Sequence, residues 1–103
     1  MRRGDVWWAD LPAPARRRPV VLLSRNEAYT VRELVTIAPV TTRSRRIPSE
    51  VPLGVADGLP KPCVANLDTV TTIPKQALTT RLTVLSPEKL HAVERALRFA
   101  LSL

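Results

Sequence analysis

Two arginine clusters are the residues of this chain best suited to chemistry: Arg16-Arg17-Arg18, directly before Pro19, and Arg43-Ser44-Arg45-Arg46. A guanidinium is planar, permanently charged, and carries a fork of donors that fits two phosphate oxygens at once. Beside a phosphodiester it would hold the phosphate and stabilise charge building on it during a displacement. Asp68 lies among apolar residues, where neighbouring arginines could tune a carboxylate for proton transfer. It could equally close a turn or pair an arginine structurally. Histidine is the usual proton-transfer side chain near neutral pH, but His91 falls beside Arg95 and Arg98 on the polar side of a helical pattern, the position of a solvated residue. Cys63, between Pro62 and Val64, reads as a small buried hydrophobe. Trp7 and Trp8 alternate across a strand pattern, so one ring faces the core and the other points outward, free to stack on a base or line a surface.

The charge around these groups is uneven. Of 16 basic and 9 acidic residues, net +7, the first 46 positions hold ten arginines against four acids, and no lysine. That balance suits a polyanion, nucleic acid above all, although a surface rich in solvated arginine has the same composition. The clusters do not sit in an amphipathic helical stretch, which argues against a membrane surface. Apolar runs such as Val20–Leu23 are far too short to span a bilayer. No apolar segment follows Met1-Arg2-Arg3-Gly4-Asp5, so a secretory signal is not expected. A lone cysteine fits a reducing cytoplasm, and one Cys with one His leaves no cluster for a metal. At 103 residues, 45% apolar and 24% charged, the chain is expected to fold as one domain over 1–103 without staples.

The elements that must position these groups follow from pattern. Asp5–Leu11 reads as a first strand, broken by Pro12 and Pro14. Val20–Leu23 is a continuous apolar run, as in a strand buried on both faces. Residues 26–32 suggest a loop with at most one helical turn. Leu34–Thr41 is a strand whose Pro39 implies an edge or a bulge. Arg43–Pro48 is a basic loop, Ser49–Leu53 a short strand, and Gly54–Pro62 a turn-rich connection. Cys63–Asp68 and Val70–Ile73 form one bent strand or two successive ones. Pro74–Leu78 is a helical turn and Arg81–Leu85 a last strand. Ser86-Pro87-Glu88 is a strong helix start, followed by Leu90, Val93, Ala96, Leu97, Ala100 and Leu101 on one face. Five to seven short strands with a terminal helix predict a mainly β protein, a small SH3-like barrel.

Four stretches in this order carry a family resemblance: Arg3–Leu11, with Gly-Asp-Val-Trp-Trp-Ala-Asp; Arg17–Ser24, with Arg-Arg-Pro-Val-Val-Leu-Leu; Ile37–Thr42; and Asn66–Lys75. Together with the tail from Leu78 they cover nearly the whole chain, which resembles the MazF/PemK family of toxin endoribonucleases. The resemblance implies a barrel of the CcdB/PemK kind, a homodimer, and metal-independent, sequence-specific cleavage of single-stranded RNA with no cofactor. It implies a cognate antitoxin with an acidic tail as partner. The family's catalytic pair falls on Arg18 and Thr41; a base is then missing, and Asp68, from its apolar setting alone, is the candidate auxiliary acid or base. Arg16, Arg17, Thr42, Arg43, Arg45 and Arg46 would then track the RNA, or anchor the antitoxin tail on the same surface. The chain departs from the family in its first loop, where Pro12-Ala-Pro-Ala-Arg-Arg17 is short and lacks glycine. Two rival functions fit the same barrel: a CcdB-like poison of DNA gyrase, and a module that binds nucleic acid without cutting it.

Overall fold

The computed structural model describes all residues, 1–103. Seven strands follow in chain order: β1 (Asp5–Asp10), β2 (Arg17–Leu22), β3 (Leu34–Thr41), β4 (Glu50–Leu53), β5 (Cys63–Asn66), β6 (Thr71–Pro74) and β7 (Leu78–Val84). A single helical turn, α1 (Ala28–Val31), precedes β3, and a long helix, α2 (Pro87–Leu101), closes the chain. Three 3-10 turns occupy Val55–Asp57, Leu67–Thr69 and Lys75–Ala77. The strand order is β4-β5-β3-β2-β1-β7, with β6 also on β3, and every pairing is antiparallel. The result is the expected curled, barrel-like sheet with a terminal helix.

Strand β3 is the hub. On one side it pairs with β2; on the other its first half pairs with β6 as far as Ile37, and its end pairs with β5 from Val40. Ala38 and Pro39 fall in the seam between those two partners. Of the two expectations for Pro39, an edge or a bulge, the edge fails, because β3 is paired on both sides; the ladder is nonetheless interrupted at Pro39, where the seam leaves one flank unpaired.

The apolar run of β2 is buried on both faces, as its pattern requires. Val21 packs with Val6, Ala38, Val40 and Ala65, beneath Val93 and Ala96 of α2. Val20 and Leu22 pack on the opposite face with Ala9, Tyr29, Val35 and Ile37. Helix α2 starts where Ser86 Oγ accepts the Lys89 N–H at 3.2 Å, with Pro87 at its first position, while His91, Arg95 and Arg98 face solvent. Both β2 and β7 begin three residues before the apolar runs that signalled them, because the ladder to β1 recruits polar residues. Asp10 pairs with Arg17, Ala9 with Arg18, and Trp8 with Thr80. Arg18 is thus a strand residue, not a loop residue.

Candidate nucleic-acid cleavage site

Register brings the two singled-out residues together. The β2–β3 pairs are Leu22 with Ile37, Val21 with Ala38, and Val20 with Pro39. Two positions beyond that last pair stand Arg18 on one strand and Thr41 on the other. Residues two apart on a strand share a face, so both side chains leave the same face of adjoining strand ends. Both are half-buried, and both line a cleft of about 360 Å³ with Trp8, Arg17, Thr42 and Lys61, over a floor that includes Val40, Leu59 and Cys63.

Each group is held by a specific contact. Arg18 Nε donates to the Ala15 carbonyl at 3.3 Å. That bond pins the side chain and leaves its two terminal nitrogens to donate elsewhere. Thr41 Oγ1 accepts the Arg43 N–H at 3.2 Å, which leaves the hydroxyl hydrogen free to donate. The Arg17 guanidinium lies over the Trp8 ring, 4.5 Å from its centroid. Such a cation–π stack is worth about 0.5–1 kcal/mol at an exposed site and keeps a charge at the cleft mouth. Trp8 is therefore the outward ring; Trp7 packs toward the second core and donates through Nε1 to Asp5 at 3.3 Å.

Arg16, Arg43, Arg45 and Arg46 are exposed and do not line the cleft; they sit on the two loops that continue from its strand ends. The second loop is held from within: the Arg45 N–H donates to Glu50 Oε1 at 2.8 Å and the Arg46 N–H to Ser44 Oγ at 3.3 Å. Its arginine side chains remain outward. In the first loop the Arg16 carbonyl accepts the Leu11 N–H at 2.9 Å, and Arg16 takes φ 57°, in the left-handed region. The glycine-free loop thus makes the kind of turn that glycine usually supplies.

Asp68 lies outside the cleft. It is exposed, its Oδ2 accepts the Ser49 hydroxyl at 2.5 Å, and its N–H donates to Asn66 Oδ1 at 3.0 Å. His91 is exposed on α2. Cys63 is half-buried rather than fully buried, and its thiol donates to the Leu53 carbonyl at 3.7 Å. Burial pushes that thiol above its ordinary pKa, with Asp57 adding to the rise and Lys61 opposing it. It stays protonated at neutral pH and is a poor nucleophile. Lys61 is the cleft residue that the sequence did not reveal. It is a single base in a turn-rich segment, brought to the cleft because Leu53 pairs with Cys63. No carboxylate or imidazole lines the cleft.

Comparison with known proteins places the whole chain among relatives. Residues 2–101 match the model of the PemK-like, MazF-like toxins of type II toxin-antitoxin systems. A probable endoribonuclease MazF2 of Mycobacterium tuberculosis is 36% identical over 99 residues, covering 95% of each chain. A probable endoribonuclease MazF5 of the same species is 38% identical, covering 95% of this chain and 90% of the relative. Among solved structures, the M. tuberculosis toxin MazF-mt6 superposes with a TM-score of 0.88 at 31% identity, covering 96% of this chain and 97% of that one. A mycobacterial endoribonuclease in complex with its cognate antitoxin gives 0.89 at 29% identity, covering 100% and 96%. With its barrel, its ordered motifs and a family match over nearly its whole length, this chain belongs to the PemK-like, MazF-like toxin family of type II toxin-antitoxin systems.

Proposed function

We propose that this chain is the toxin of such a pair, an endoribonuclease that cuts single-stranded RNA at specific sequences by internal attack and without a metal. The observation that carries this reading is the meeting of Arg18 and Thr41 on one face of a cationic cleft. In the step proposed, the ribose 2′-oxygen attacks the adjacent phosphorus, the 2′-hydroxyl proton leaves, and the bond to the 5′-oxygen breaks as that oxygen gains a proton. The products are a 2′,3′-cyclic phosphate and a 5′-hydroxyl.

Arg18 supplies donors to the phosphoryl oxygens, and these count for more as charge accumulates on them. Thr41 adds one hydroxyl donor and helps align the reacting group. Arginine hardly deprotonates, and the cleft offers no carboxylate or imidazole. The 2′-hydroxyl proton therefore passes to water or to a phosphate oxygen, and the departing 5′-oxygen takes its proton from water or from that protonated phosphate oxygen. Asp68, bonded to Ser49 outside the cleft, serves the turn and not the proton transfer. A cationic donor set repels divalent cations and is suited to holding the RNA directly.

The test is incubation of purified protein with mixed-sequence RNA in EDTA, beside a supercoiling assay with gyrase. Cleavage leaving 5′-hydroxyl ends is expected. Chelator-sensitive or absent cleavage, or inhibition of gyrase instead, would overturn the reading.

Two partners accompany the RNA. An acidic antitoxin tail would meet the same arginine loops and so block substrate. A second copy of the chain suits the apolar groove between α1 and the end of α2, which includes Leu23, Ala28, Leu97 and the exposed Leu34 and Leu101. Leu101→Glu is expected to shift the protein from dimer to monomer in light scattering; an unchanged mass would remove that face from the interface.

A further inference from the structure

A second cleft, of about 380 Å³, shares Arg18 with the first and no other residue. Its character differs. The first presents Arg17 and Lys61, whereas the second has no charged group besides Arg18 itself. It is walled by Leu11 and Pro12 of the first loop, by Pro39, and by Thr69 and Thr71. Its volume is at the small end of the range for small-molecule sites, about 300–1,000 Å³, which suits one nucleoside rather than a folded element.

Strand geometry orients the second cleft toward the reacting pair. Thr71 pairs with Ile37 across the β3–β6 ladder. Ile37, Pro39 and Thr41 are each two apart on β3, so Thr71 lies on the face that carries Thr41 and Arg18. The Thr69 and Thr71 hydroxyls make no hydrogen bond within the protein, unlike those of Thr36 and Thr72, which lie 3.4 Å from each other. Both threonines are exposed and line the same cleft, and each hydroxyl can donate and accept.

We infer that this second cleft is a nucleobase subsite: the base on one side of the scissile phosphate lies against Pro12 and Pro39 and is read by the Thr69 and Thr71 hydroxyls. The inference rests on the nuclease reading, because it is Arg18, holding the phosphate, that joins the two clefts. A phosphodiester on Arg18 has a nucleoside on either side, and each cleft takes one. Contacts along the cationic cleft favour the backbone of any sequence, whereas hydroxyls at an apolar wall discriminate among base edges.

The experiment digests an RNA library of randomised sequence with wild type, Thr69→Val, Thr71→Val and Thr71→Ser, then sequences the 5′-hydroxyl ends. Valine keeps the shape of threonine, suits a strand, and removes only the hydroxyl. Each valine variant is expected to lower selectivity at one position adjoining the cut by about 3- to 10-fold, the worth of one hydrogen bond. Selectivity elsewhere should stay as in wild type, and Thr71→Ser should restore the lost preference. Wild type that cuts while both valine variants keep its full profile would overturn the subsite and leave the nuclease standing. Wild type that cuts nothing would overturn both.

Discussion

Arg18 combines two roles that its contacts keep apart: Nε is spent on the Ala15 carbonyl, and the terminal nitrogens make no bond within the protein and are left for a ligand. Arg18→Ala is expected to slow single-turnover cleavage about 10²–10³-fold, the usual cost of one donor to a developing oxyanion. RNA binding should persist in part through the other arginines, which filter binding would measure. Arg18→Lys should rescue poorly, because a point charge lacks the fork. Cys63 lines the same cleft yet is expected to be a spectator. Its raised pKa keeps it a thiol at neutral pH, so alkylation should lag behind that of free cysteine at pH 8.5, and Cys63→Ala should still cut RNA. Asp68→Asn should likewise keep turnover. The arginines were legible from type and spacing, but Thr41 alone is an ordinary strand threonine that only the family resemblance distinguishes. Lys61 was not legible at all, since its placement depends on a pairing between Leu53 and Cys63 that no local pattern encodes.

At the scale of elements, two loops beside the cleft make a similar positive-φ turn with opposite choices of residue. Gly58 has φ 93°, and a Cβ there would run into the Thr83 side chain. Gly58→Ala should therefore cost about 1–2 kcal/mol in backbone strain alone and lower Tm by about 10 °C for a domain of this size. It should also disturb Lys61 three residues on. Arg16 adopts a comparable conformation with a full side chain. Arg16→Gly is expected to raise Tm by a few degrees while weakening RNA binding, which calorimetry and filter binding would resolve separately. A variant that is less stable would show that the turn does not strain Arg16. The sequence located most strands because alternation, turn residues and the Ser86-Pro87 cap act locally. It misjudged the starts of β2 and β7, where pairing with β1 overrides propensity. At Pro39 it signalled an interruption but not its form, a seam between two distant strands.

For the molecule as a whole, six arginines gather at one end of the β2–β3 pair: Arg17 and Arg18 on β2, with Arg16, Arg43, Arg45 and Arg46 on the adjoining loops. Binding to a non-cleavable, 2′-O-methyl RNA should weaken steeply with salt, the logarithmic slope being about −0.7 per phosphate neutralised on a single strand. Replacing Arg43 and Arg45 by alanine should flatten that slope by about 1.4 if each meets one phosphate. An unchanged slope would take that loop off the RNA track. The absence of lysine before residue 47 bears on how such a toxin can be restrained. Lysine acetylation has nothing to neutralise on these two loops, and no pH a living cell reaches discharges a guanidinium. Acetylation at Lys61 would remove one charge from the cleft, but neither lysine editing nor a drift in acidity discharges the loop arginines, and their restraint falls to physical occlusion. On the proposed reading, an antitoxin that covers this surface is what holds it in check, and losing that cover exposes charges that need no further activation.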